Sequence, residues 1–233
     1  MRGVAHLRVE TTGLYIVGGD APPDDIQSKI PKALSPITQY HDILIPPVPR
    51  HLTPININNV ATMSYAIYDA SIVLAKDALA SLSAVLKKGE EHADAASLPE
   101  ARIFSDMLPL AFQVHMVTDI SSKVYARLSG VEPKALENNM KTFADFNARI
   151  AEVQDILAKA DEKAINARVA ETVTIGLGPG KSGSMSGAGY VNGYVIPNIF
   201  FHLTTAYDIL RKEGVPLGKM DYLTPFIGKH IQQ

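Results

Sequence analysis

From Tyr68 onward, apolar side chains return at intervals of three and four residues, and before Met63 they do not. Ile72, Leu79, Leu82 and Leu86 share one face of a helix predicted from Tyr68 to Glu91, with Lys76, Lys87 and Glu90 on its wet side. After the loop Asp94 to Leu98, Ser97 and Glu100 have the spacing of a capping box. A second helix is predicted from Met107 to Leu128, capped by Asp106, with Pro109 tolerated in its first turn and Gly130 as its stop. Thr142 and Asp145 cap a third, whose stripe is Phe143, Phe146, Ile150, Val153, Ile156 and Leu157, ending near Ala160. Glu171 to Gly178 then alternates and is rich in β-branched residues. With the turn Pro179 to Gly183 and a second run from Ser184 to Tyr190, it predicts a β-hairpin. A fourth helix is predicted from Pro197 to Glu213. Arg211 and Lys212 complement its last turn, Gly214 closes it and Pro216 prevents it resuming. Four such helices, of about 16–24 residues each, predict a mainly α fold: a four-helix bundle with a β-hairpin inserted between helices 3 and 4.

Residues 1–62 follow another regime. Gly18-Gly19, Pro22-Pro23, Pro31, Pro36, Pro46-Pro47, Pro49 and Pro54 break any helical period, and each proline pushes its predecessor toward extended geometry. Leu14 to Val17 and Ile43 to Ile45 suit short strands. The expectation is a poorly ordered or extended arm over 1–62 and a bundle domain over 63–233. The alternative is that translation begins at Met63. His6, His41 and His51 are expected to be exposed arm residues.

Composition narrows the function classes. The chain has 233 residues, a net charge of −2 and no cysteine. Disulfide frameworks, thiolate metal sites and a cysteine nucleophile are therefore excluded, and a reducing compartment fits. The densest positive cluster is the pair Lys87-Lys88, followed at once by Glu90-Glu91, so no nucleic-acid partner is expected. No run reaches the roughly 18–20 apolar residues of a membrane span, and Met1 to Gly19 lacks a secretory core. The expected location is the cytoplasm.

Two glycine-rich stretches resemble nucleotide motifs and fail on detail. Before Gly180-Lys181-Ser182, the glycine that a phosphate loop requires is replaced by Ile175, and Pro179 removes a backbone donor. Gly187-Ala188-Gly189 lacks the third glycine of a dinucleotide fingerprint, because Asn192 stands in its place. Asp94, Asp161, Glu162 and the Glu90-Glu91 pair read as solvated helix ends.

More informative are polar residues on apolar stripes. Asp106, Leu110, Gln113, Val117 and Ile120 share a face of the second helix, so Gln113 falls among core positions. On the fourth helix Asn198, His202 and Thr205 or Ala206 share a stripe beside Phe200, Leu203, Tyr207 and Leu210. Buried amide, imidazole and phenol groups need hydrogen-bond partners, since each left unpaired costs about 1–3 kcal/mol. They can satisfy one another, or they can line a pocket in the bundle interior.

Met107 to Gln113, Arg127 to Gly130, Pro197 to Arg211 and Val215 to Tyr222 resemble an uncharacterised family of bacteria and fungi. It is known as a domain of unknown function and is similar to DinB/YfiT-like helical bundles. The resemblance implies a four-helix architecture over about Met63 to Tyr222. DinB-like proteins often bind a divalent metal through three histidines, two of them one turn apart on the last helix. His202 would match one, but Ala206 stands at the other position. His92 would be a distant second ligand and Asp106 a third, while His115 is expected to point elsewhere. No cofactor is therefore expected, a divalent metal through His92 and His202 being the alternative.

The first functional expectation is a small-molecule pocket between the second and fourth helices. Asp106, Gln113 and Asn198 would bind the ligand, His202 would serve as general acid or base, and Tyr207 or Gln113 would orient the substrate. The alternatives are a DinB-type metal-dependent enzyme and a non-catalytic bundle whose outer face forms a homodimer.

Overall fold

A computed structural model describes residues 66–232, together with the backbone of residues 7–10 and 13–16. The chain divides into two units, Met1–Val60 and Ala61–Gln233. In the first, β1 (Leu7–Glu10) pairs antiparallel with β2 (Gly13–Ile16), Val9 opposite Leu14. The strand expected at Leu14 to Val17 is thus largely β2. Ile43 to Ile45, His6, His41 and His51 lie outside the described residues.

The second unit is mainly α-helical, with four long helices and a hairpin between the third and fourth. A π-helical turn, Asp69–Val73, leads into α1 (Leu74–Glu90). Next come α2 (Leu110–Ser129), α3 (Phe143–Ala158) and the short α4 (Glu162–Asn166). The hairpin of β3 (Thr172–Gly176) and β4 (Ser182–Ser186) pairs Val173 with Met185 and Ile175 with Gly183. The chain then enters α5 (Gly187–Tyr190), a π-helical turn (Val191–Val195) and α6 (Ile196–Lys212), and finishes with α7 (Lys219–Ile227). No described helix is long and apolar enough to cross a membrane.

The core contains most of the apolar stripes the sequence predicts, together with Val114 and Ile209, which lie outside them. Ile72, Leu79, Leu82 and Leu86 meet Leu110, Val114 and Val117, and Phe146, Ile150 and Val153 close a third side. Leu203, Ile209 and Leu210 of α6 complete it, with α6 packed most extensively on α2. Each such side chain contributes about 1.5–3 kcal/mol through burial.

Several boundaries differ from the sequence expectation, each for a local reason. The second helix starts at Leu110, not Met107. Pro109 stands at its N-cap in extended geometry, and its carbonyl accepts from the N–H groups of Phe112 and Gln113. Asp106 is exposed, lies before the helix and makes no cap. Ser97 does not cap either: its hydroxyl donates to the Asp94 carbonyl at 2.9 Å, and only a 3-10 turn (Leu98–Glu100) follows. The second hairpin strand ends at Ser186, whose hydroxyl accepts from Gly189 N–H at 3.1 Å and starts α5.

The last helix therefore begins ten residues before Pro197. A proline inside an α-helix removes one ladder bond and clashes with the preceding turn. The π turn resolves both, widening the helix so that Ile196 N–H reaches back to the Val191 carbonyl. α7 packs Tyr222 and Phe226 against the core, and polar contacts also tie this end of the chain to α1. The Ser81 hydroxyl donates to the Tyr222 carbonyl at 2.7 Å, Lys88 pairs with Asp221 at 2.9 Å and Lys229 with Asp77 at 2.6 Å.

The capping box on α3 forms as expected. Asp145 N–H donates to the Thr142 hydroxyl at 3.1 Å, and the Asp145 carboxylate accepts from Thr142 N–H at 2.9 Å. Backbone donation from Lys141, then the Thr142 contacts, hold the Asp145 carboxyl below the usual carboxylate range. Replacing Thr142 by alanine is expected to cost about 1 kcal/mol, read as a lower urea midpoint with unchanged slope. An unchanged midpoint would mean the box adds nothing.

Candidate functional site

Two polar constellations sit where α2 faces the last helix. The first joins Gln113 and His202, both buried. The Gln113 amide nitrogen donates to the Leu108 carbonyl at 2.9 Å, so its oxygen is turned to His202 Nδ1 at 2.8 Å. An amide oxygen only accepts, and the hydrogen therefore lies on Nδ1 of a neutral imidazole, leaving Nε2 bare. Burial, with His115 as a smaller cause, pushes the pKa of His202 down to about 4. Phe201 and Phe112 meet the ring edge to face, with centroids 5.1 and 6.1 Å away.

The other expected site residues do not join this pair. Asn198 donates to the Tyr194 carbonyl of its own helix at 2.8 Å. Tyr207 packs against Tyr222 of α7, ring centroids 6.2 Å apart. Asp106 is exposed on the loop before α2.

The second constellation was not foreseen from the sequence. His115, Asp119, Lys123 and Arg127 follow one another at four-residue intervals and form one row along α2. With Met116 and Ile120 they line a cleft of about 380 Å³, closed on the far side by Tyr190 and Tyr194 and at the hairpin end by Gly176. Asp119 is buried and bound to Lys123 at 2.5 Å. An Arg127 N–H donates to the Tyr190 phenol at 3.1 Å, and the guanidinium lies 5.5 Å from that ring's centre. Tyr190 and Tyr194 stack at 5.8 Å with an interplanar angle of 18°.

The electrostatics of the cleft follow from partial burial. Desolvation lowers the pKa of His115, partly offset by Asp119 and reinforced by Arg149 and Lys123. His115 Nδ1 is buried without a hydrogen-bond partner among the described residues. Desolvation also raises the Tyr190 pKa against the opposing Arg127 charge, which keeps the phenol protonated at neutral pH. His115 does not join Gln113 and His202. It lines the cleft, and Phe112 stands between it and His202, 6.1 Å from each ring.

A resident metal does not fit these donors. Among the described residues no group of three or more histidine, aspartate or glutamate side chains is placed to hold an ion. His202 Nδ1 is committed to Gln113, and Ala206 is buried in the core. His92 Nδ1 accepts from Asp94 N–H at 3.3 Å, and its ring lies beside Gly214. At about 1.5 Å per residue, Gly214 is roughly 18 Å along the chain axis from His202.

Comparison with known proteins shows the family and the fold. The profile of a family described as Domain of unknown function (DUF1993) matches residues 67–223. The crystal structure of a DinB family member protein from Shewanella denitrificans is 34% identical over 67% of this chain and 91% of that one, with a TM-score of 0.60. No curated protein sequence matches the chain.

Proposed function

Because the chain belongs to the DUF1993 family, a DinB-like family of unknown function, we propose from its own geometry that it binds a small molecule in the cleft between α2 and the segment of α5 and the π turn that leads into α6. One observation carries this reading. Four ionisable side chains, His115, Asp119, Lys123 and Arg127, lie in a row facing two stacked tyrosines across about 380 Å³ of space. Small-molecule pockets usually span about 300–1,000 Å³ and combine apolar walls with a few convergent polar groups. Holding a half-buried ion pair and an unpaired histidine nitrogen there costs stability, and a bound ligand offsets that cost.

The Gln113–His202 pair takes a different role in this reading. It fastens α2 to α6 through a directed hydrogen bond inside the core. An imidazole with a pKa near 4 is a weak base at neutral pH and almost never a proton donor.

Gly176 provides a clean test. A β-carbon added there meets no atom within 4 Å, and the residue lines the hairpin end of the cleft. Gly176→Phe is expected to leave stability within about 0.5 kcal/mol, as for other surface changes. It should also abolish the thermal stabilisation produced by metabolite-library hits on the unmodified chain. Hits that stabilise both forms equally would place the ligand elsewhere and overturn the reading.

A further inference from the structure

Resting on that reading of the cleft, we propose that its ligand is a small monocarboxylate with an apolar body, the carboxylate being held by Arg127 and Lys123. The charge arrangement points to an anion. Lys123 is matched by Asp119, but no carboxylate pairs with Arg127 among the described residues. Arg149 pairs with Glu152 and Arg168 with Glu171, whereas Arg102 and Arg211, which also meet no carboxylate, donate to the backbone carbonyls of Met107 and Val215. Arg127 spends one N–H on the phenol oxygen of Tyr190, and a guanidinium carries five donors in a planar fork. Arg127, Tyr190 and Lys123 all line the cleft, so the remaining guanidinium donors, the phenol O–H and the ammonium are available to an anion there.

Charge and shape choose between anions. With His115 neutral, the row carries one net positive charge, which a carboxylate cancels. A phosphate monoester brings about −1.5 to −2 at neutral pH and would leave excess negative charge beside buried Asp119. The planar fork also matches two carboxylate oxygens side by side. Within an otherwise mostly polar lining, Met116 and the exposed part of Tyr194 supply apolar and aromatic surface on which a small hydrocarbon or aryl body can lie.

The test is isothermal titration of the full chain at pH 7 with benzoate, benzamide and inorganic phosphate. Benzoate is expected to bind, with benzamide and phosphate at least tenfold weaker. Arg127→Gln should weaken benzoate about 10- to 100-fold, as loss of a charge-assisted pair does. Arg127→Lys keeps the charge but not the fork, and should lose less. This second variant also keeps a cation beside Tyr190, so a folding defect of Arg127→Gln does not decide the matter. Benzamide binding as tightly as benzoate, in a manner blocked by Gly176→Phe, would overturn the carboxylate assignment and leave the cleft reading intact. Phosphate binding tighter than benzoate would do the same. Absence of any ligand sensitive to Gly176→Phe would remove both.

Discussion

Gly187→Ala is expected to destabilise the bundle by about 3 kcal/mol, the upper end of ordinary overpacking costs. A β-carbon at Gly187 would stand 2.3 Å from the carbonyl oxygen of Arg168 and 3.3 Å from Ile67 Cδ1. The oxygen cannot swing aside as a flexible side chain could. Backbone bonds pin both partners, with Gly187 N–H donating to the Glu171 carbonyl at 2.8 Å and Ala188 N–H to the Val169 carbonyl at 2.9 Å. In a domain of this size that cost corresponds to a melting temperature roughly 6–12 °C lower. Gly193→Ala is the control, because an added β-carbon there meets nothing within 4 Å. It should leave stability unchanged or raise it by a few tenths of a kcal/mol. Equal melting temperatures for the two variants would mean that the close approach at Gly187 is not rigid. The consequence reaches the cleft, since Gly187 anchors the turn that carries Tyr190 and Tyr194 into place.

Acid is expected to weaken the fold as pH falls from about 6.5 toward 4. An unfolded histidine takes up its proton near 6.5, whereas folded His202 does so only near 4. Between these values the unfolded state binds more protons, so stability falls as pH falls through the window and is fully present above it. From pH 7 to pH 5 the loss from His202 is roughly 2 kcal/mol as an upper bound. His115, lowered by burial as well, adds in the same direction. Urea unfolding of the unmodified chain and of His202→Gln at both pH values measures this. The variant should show a clearly shallower dependence on pH. Identical dependence in the two proteins would mean that His202 is not held neutral in the core.

Much of the architecture was legible because it rests on short-range periodicity. The stripes of α1, α2 and α3 are read directly from leucine, valine and phenylalanine spacing, and the Thr142–Asp145 box forms as its residue types require. The start of the last helix was not legible. Gly187 to Tyr190 reads as a strand continuation, and Pro197 as the start of the helix. Only the pairing of Gly187 and Ala188 with residues 169 and 171, and the π turn before Pro197, make it helical. α7 escaped because it is short, contains Pro225 and meets α1 through contacts far apart in sequence.

At the site, the apolar context of Gln113 and His202 correctly signals burial, and the two do meet. That signal draws attention to residues satisfied by one another. The cleft row was equally visible as ionisable residues four apart from His115 to Arg127. Its significance depends on Tyr190 and Tyr194, which reach it only because the last helix starts early.

The most direct measurement is an NMR titration of the isotopically labelled chain with a cleft-sensitive ligand, following the amides of α2 and the imidazole signals of His115 and His202. Perturbations concentrated at His115, Asp119, Lys123, Arg127 and Tyr194, with the His202 ring unmoved, are the predicted result. Perturbations centred on Gln113 and His202, with the row from His115 to Arg127 silent, would contradict it.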